Sequence, residues 1–296
     1  MPNYEQILQI KQGKGFIAAL DQSGGSTPKA LGLYGIDESY YTNEDQMYNL
    51  IHAMRARIAN APTFTGDKVI GAILFEMTMN REINGISSAK YLWEERRIVP
   101  FLKIDNGLEL ESNGVQVMKK IENLNTKLEH AVLSGIFGTK MRSVINQASK
   151  SGISALLAQQ FEVSEQINSH GLIPIIEPEI TVSISDKAAA EKILEKELLI
   201  YLDALPSDRQ VILKLTLPDI AGTYLSLVKH PRVMRTVALS GGYNQGRANK
   251  ELSKNEGIIA SFSRALTEGL SIKQSDKEFN EIIGKSISSI ANASSN

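Results

Sequence analysis

A single-domain α/β fold, a (β/α)8 TIM barrel running from residue 1 to residue 296, is the architecture this sequence predicts. Three observations predict it. Eight short apolar, β-rich runs recur along the chain, helical patterns separate them, and polar residues gather at their C-terminal ends.

The runs are GFIAALD (15–21), VIGAILFE (69–76), IVPFLKID (98–105), GIFGTKMR (135–142), GLIPIIEPE (171–179), RQVILKLTL (209–217), RVMRTVALS (232–240) and GIIASFS (257–263). They are apolar on both faces, as strands of a parallel sheet covered on both sides must be. A barrel of this kind takes about 250 residues, which the chain accommodates. An open doubly wound sheet is the alternative, but it more often carries a GxGxxG turn after its first strand, and none is present. The stretch SGGSTPKALGLYG, 23–35, reads as a long loop after strand one rather than a domain boundary.

Between the runs, segment 43–61 places Met47, Leu50, Ile51, Met54 and Ile58 on one face, opens with Thr42 and Asp45 in capping-box-like positions, and stops at Pro62. Segment 185–205 carries Ile193, Leu194, Leu198, Tyr201, Leu202 and Leu205 at the same period. A last helix opens on the capping box Ser275 and Glu278 and buries Phe279, Ile282, Ile283, Ile287 and Ile290 over strand eight.

Composition narrows the partners. A net charge of -1 with no basic block gives no expectation of nucleic acid or a membrane surface, so an anionic substrate must meet local cations. With no cysteine, disulfides, thiolate chemistry and cysteine metal sites are excluded. The N-terminal MPNYEQILQIKQGKG has no signal-peptide core, and no apolar run approaches the roughly 18 residues of a membrane span. The expectation is a soluble, cytoplasmic protein.

A barrel's functional face is built from its C-terminal strand ends. There the sequence places Asp21, Glu76, Lys103 with Asp105, Lys140 with Arg142, Glu177 with Glu179, Lys214, Ser240 with Gly241 and Gly242, and Arg264. The i, i+2 pairs each point to one side of their strand, so in the lumen they converge. In VILKLTLP, Lys214 is a lone cation in an apolar run. On an edge strand it would snorkel to water. In an interior strand, partial desolvation and repulsion from Lys140 and Arg142 would favour its neutral amine, a nucleophile that forms imines with carbonyls. Glu177 or Glu179 on the neighbouring strand would move the protons that imine formation requires. The small residues SGG at 240–242, with Arg264 after strand eight, suit a phosphate, and Ser23, Gly24, Gly25 and Ser26 suit a second one.

Taken in order, ALDQSGGSTPKAL, GAILFE, PFLKIDNG, FGTKMR, IPIIEPEI, LKLTLP, LSGGY and SFSRAL span nearly the whole chain, and this series resembles the class I, Schiff-base fructose-bisphosphate aldolases in their short bacterial form. The resemblance implies an enzyme of glycolysis and gluconeogenesis that cleaves fructose 1,6-bisphosphate without metal or cofactor. Lys214 would form the imine at carbon 2, and Glu177 would be its general acid-base, with Lys140 and Glu179 organising charge. Asp21 would take the proton of the carbon 4 hydroxyl. Ser240, Gly241, Gly242 and Arg264 match the pocket for the carbon 1 phosphate; Ser23, Ser26, Lys103 and Arg142 match residues near the other. Family members are often tetramers, which leaves a homo-oligomer open.

Two departures accompany the match. Gln22 stands where the animal branch has glutamate, and the chain closes with SSIANASSN instead of a tail ending in tyrosine. An internal group such as Glu177, or a water it holds, is therefore expected to protonate the enamine. Other readings stay open: an imine-forming barrel lyase or transferase for another sugar phosphate, tagatose 1,6-bisphosphate as substrate, and a non-catalytic sugar-phosphate binder. A metal-dependent aldolase is disfavoured, because His52, His130, His170 and His230 are scattered.

Overall fold

The computed structural model describes residues 3–296. All eight expected strands form: β1 (Phe16–Leu20), β2 (Val69–Leu74), β3 (Val99–Lys103), β4 (Gly138–Ile145), β5 (Ile173–Ile180), β6 (Val211–Thr216), β7 (Val233–Leu239) and β8 (Ile258–Ala260). They pair in parallel in chain order. The seam between the last strand and the first is closed by the Ala19 amide, which donates to the Phe262 carbonyl at 3.1 Å. A two-residue strand, Val115–Gln116, adds antiparallel to β4, and a small hairpin, Glu82–Ile83 with Ile86–Ser87, stands apart.

Two apolar cores result from strands buried on both faces. The larger lies between the barrel wall and its helices. The smaller fills the lower lumen with Ile17, Ile73, Phe101, Phe137, Ile175 and Ile212, and the Phe101 and Phe137 rings meet edge to face at 5.4 Å. Gly138 belongs at this level, since a Cβ there would lie 2.2 Å from the Ile173 carbonyl oxygen.

Beneath this plug lies a helix that periodicity did not reveal, Tyr4–Gln12. Its Ile10 is fully buried in the lumen core. Arg235 of β7 fastens it by donating to the carbonyls of Ile10 at 2.9 Å and Gly13 at 2.7 Å. The N-terminal mouth of the barrel is thereby sealed.

The expected helices form as Glu44–Asn60, Lys187–Ala204 and Asp276–Ala293. The Ser275–Glu278 capping box is present. At the first of the three, the cap is different: Asn43 accepts from the Gln46 amide at 2.9 Å, and Gln46 Oε1 accepts from the Thr42 amide at 2.7 Å. Asparagine's short carbonyl caps as well as threonine, and glutamine supplies the reciprocal acceptor that Asp45 was expected to be.

Candidate active site

The strand alternation that fills the lower lumen continues upward into charge. Ile17 and Ala19 lead to Asp21, Val99 and Phe101 to Lys103, Ile173 and Ile175 to Glu177 and Glu179, and Ile212 to Lys214. On each of these strands the inward-facing positions therefore turn from apolar to polar toward the C-terminal end. Above the plug is a cavity of about 610 Å³.

At its floor lies an alternating row of charges. Lys140 Nζ stands 2.9 Å from Asp21 Oδ2, across the lumen, and 2.7 Å from Glu177 Oε2 on the adjacent strand. Lys214 Nζ stands 3.0 Å from Glu177 Oε1. All four groups are buried. Burial alone would raise the Asp21 carboxyl, but Lys140, Lys214 and Lys103 outweigh it and hold the group well below the usual carboxylate range. Burial would likewise lower Lys140, yet Asp21 and Glu177 keep its ammonium firmly protonated. Carboxylates thus interleave the cations, where the sequence suggested direct repulsion between Lys214 and Lys140.

Local backbone geometry frees Lys214 and Glu177 to face each other. The β5–β6 ladder pairs Ile175 with Ile212 and Ile176 with Leu213, and goes no further. Glu177 and Lys214 are the next residues up. Beyond them the strands are held by a side chain: Thr216 Oγ1 accepts from the Ile180 amide and donates to its carbonyl, both at 2.8 Å.

Nearer the mouth, Lys103 Nζ pairs with Asp105 Oδ1 at 2.7 Å and donates to the Asp105 carbonyl at 2.8 Å. Arg142 donates from Nε to Glu179, which outweighs burial and raises its pKa. Three donors on an ammonium and five on a guanidinium leave both cations N–H groups to spare for a ligand. After β1, Ser26 Oγ accepts from the Ser23 amide at 2.9 Å and returns a bond to its carbonyl at 2.8 Å, opening the helix Ser26–Tyr34. Both serines line the cavity.

On the far side, Ser240 and Gly241 line the cavity after β7. Gly241 has φ +59°, and a Cβ there would meet Val182 Cγ1 at 2.5 Å, so glycine alone fits. Gly242 does not line the cavity; it backs the Arg264 guanidinium, with its Cβ position 3.3 Å from Nη2. Arg264 lines the cavity and, among the described residues, has no ion-pair partner.

Of the strand-end residues singled out from sequence, Glu76 is not brought here; it begins the short helix Glu76–Met79 and borders a small recess behind Lys103. Three contributors were missed. Lys29 lines the cavity three residues after Ser26, an i, i+3 relation on the helix Ser26–Tyr34 that the expected loop over 23–35 concealed. Ser263 lines it beside Arg264. Arg55, wholly buried, hydrogen-bonds to Gln22 from behind, and burial pulls its pKa down to about 10. Its signal was a cation on the apolar stripe of Ile51 and Ile58. Among the described residues no cluster of histidine and carboxylate side chains is set to hold a metal ion.

A buried amine touching a carboxylate, ringed by spare cationic donors at the C-terminal mouth of a parallel barrel, is an arrangement that suits an imine-forming barrel enzyme acting on an anionic carbonyl compound. Comparison with known proteins is more specific. Residues 5–221 match the profile of the family described as fructose-bisphosphate aldolase class-I. A fructose-bisphosphate aldolase class 1 from Synechocystis sp. is 53% identical over 99% of this chain and 98% of its own. Another from Porphyromonas gingivalis is 51% identical over 99% of each. The chain belongs to the class I fructose-bisphosphate aldolase family. Its fold is also that of the Plasmodium falciparum aldolase solved in complex with TRAP and a small-molecule inhibitor, at a TM-score of 0.77 and 18% identity over 98% of this chain and 92% of that one.

Proposed function

We propose that the described chain works as one catalytic domain that cleaves fructose 1,6-bisphosphate reversibly to dihydroxyacetone phosphate and glyceraldehyde 3-phosphate, with Lys214 as the nucleophile. The observation that carries this reading is the buried contact between Lys214 Nζ and Glu177 Oε1 at 3.0 Å on the cavity floor. The lysine amine adds to carbon 2 of the open-chain ketone. Glu177 gives a proton to the carbinolamine hydroxyl, which leaves as water, and an iminium remains. Asp21, kept ionised by Lys140, takes the proton of the carbon 4 hydroxyl. The bond between carbons 3 and 4 breaks, its electron pair flows into the iminium, and the aldehyde departs from a lysine-bound enamine. Protonation at carbon 3 and hydrolysis of the imine release dihydroxyacetone phosphate.

Lys140 and Glu179 keep the charges in register. Lys140 bridges the base and the acid, and Glu179 steadies Arg142. Ser240, Gly241 and Arg264, with Gly242 behind the last, receive the carbon 1 phosphate. Ser23, Ser26, Lys103 and Arg142 receive the other. Two cation-bearing sides of one cavity favour a bisphosphate over a monophosphate. No described helix is long and apolar enough to cross a membrane, and the reading places the enzyme in the cytoplasm.

The test is borohydride reduction with dihydroxyacetone phosphate, followed by peptide mass mapping. An adduct on the peptide that holds Lys214 is the expected result. Folded protein that cleaves the sugar yet yields no adduct would refute the imine mechanism.

A further inference from the structure

Arg55 is a buried cation for which the chemistry above has no use. It lies outside the barrel wall on the helix Glu44–Asn60, 1% exposed, and among the described residues no carboxylate pairs with it. Its partners are neutral: Nη1 donates to Thr78 Oγ1 at 2.7 Å, and Nη2 donates to the Gln22 carbonyl at 2.6 Å and to Gln22 Oε1 at 3.1 Å.

Because a guanidinium has donors only, it decides which way the Gln22 amide must face. Oε1 turns to Arg55, so Nε2 turns the other way, where it donates to Ser263 Oγ at 2.6 Å. A serine hydroxyl that accepts from an amide still has its own hydrogen to give. Among the described residues the Ser263 hydroxyl gives it to no acceptor, and it lines the cavity beside Arg264. Hydrogen-bond direction therefore runs one way, from a fixed cation through an amide to a hydroxyl that is left as a donor. Ser263 Oγ keeps a second lone pair, but its hydrogen has no acceptor among the described residues, and a phosphate dianion offers acceptors alone, so that free hydrogen is matched to phosphate.

We infer that Ser263 contacts the substrate, donating to the phosphate held at Arg264, and that Arg55 and Gln22 are positioning residues that fix the direction of that bond. The inference rests on the Schiff-base reading, whose imine supplies a way to measure it. It also gives Gln22 a reason to be glutamine: a carboxylate there has no N–H to pass on to Ser263.

The test compares borohydride trapping of dihydroxyacetone phosphate with that of dihydroxyacetone, which lacks the phosphate, in the wild type, Ser263→Ala, Gln22→Leu and the double variant. Thermal melting first checks that each is folded. Loss of a charge-assisted hydrogen bond corresponds to about tenfold in affinity or more. Ser263→Ala is expected to raise the half-saturating concentration of dihydroxyacetone phosphate by about tenfold, leaving dihydroxyacetone within about twofold. Gln22→Leu is expected to act in the same direction by a few-fold, and to add nothing in the Ser263→Ala background, since both act on one bond. Ser263→Ala with unchanged saturation, or with both ligands weakened equally, overturns the role of Ser263. Additive losses overturn the relay through Gln22. A wild type that traps neither ligand overturns the Schiff-base reading, and this inference falls with it.

Discussion

Replacing Lys140 by methionine removes the one ammonium that touches both Asp21 and Glu177. Its contacts of 2.9 and 2.7 Å are each worth about 4 kcal/mol or more at an effective dielectric near 20, before desolvation is counted. Removing the cation also removes its own desolvation cost, but two buried carboxylates are left behind. Breaking a buried pair from one side costs about 3–5 kcal/mol, and that is the expected loss near neutral pH. The loss depends on pH in a defined direction. In the wild type the Asp21 carboxyl is depressed below its reference value of 3.8, so its stabilising contribution is complete above that value and disappears only as pH falls through the folded pKa. In the variant burial is opposed by Lys214 and Lys103 alone, and the carboxyl is expected to rise above its unfolded value. Stability is then lost as pH rises through the raised pKa, so the deficit should be larger at a pH of about 8 than at about 5. Urea unfolding at the two pH values, at fixed protein concentration, measures it. The acid limb of cleavage should also move toward neutrality, because Asp21 in its proposed role as base must be ionised. A deficit below about 1 kcal/mol, within the range of a surface ion pair, would refute the reasoning, as would an equal deficit at both pH values.

Glu177→Gln leaves Lys214 without the carboxylate at 3.0 Å and should slow cleavage by about 10² to 10⁴ in rate; single-turnover adduct formation should slow in parallel. Gly241→Ala places a methyl 2.5 Å from Val182 Cγ1 at φ +59°, and should cost roughly 1–3 kcal/mol in unfolding free energy. The same substitution should raise KM for the bisphosphate more than it lowers kcat, which steady-state kinetics will separate. Removing residues 292–296 deletes the bonds of Asn296 to Gly257, Leu252 and Ile258 and that of Ser294 to the Ala260 amide. At about 1 kcal/mol per bond the melting temperature should fall, while cleavage per folded molecule stays nearly unchanged because these contacts lie away from the cavity.

The inward positions were legible because a parallel strand has a period of two, and the i, i+2 pairs declare a shared face without any tertiary knowledge. Lys214 was legible for a different reason, as the lone cation in the apolar run VILKLTLP. What stayed hidden depends on distances between segments far apart in sequence. Gln22 and Ser263 are 241 residues apart and meet only because β1 and β8 close the barrel. Nor could sequence say that Glu177 rather than Glu179 stands level with Lys140 and Lys214, because strand stagger sets the heights of neighbouring side chains. Gly242 could be placed in the turn but not on one side of it. The helix Tyr4–Gln12 escaped because two of its nine residues are buried, too few to draw a stripe.

That helix decides the traffic of the enzyme. Since it stoppers the lower end, the described residues leave the upper mouth as the doorway for the proposed substrate, its products and the water that frees the imine. The aldehyde fragment has no covalent tether and leaves through it first. On the proposed mechanism the ketone fragment stays bound to its lysine until water has entered by the same route, so traffic through the mouth runs in both directions within one turnover.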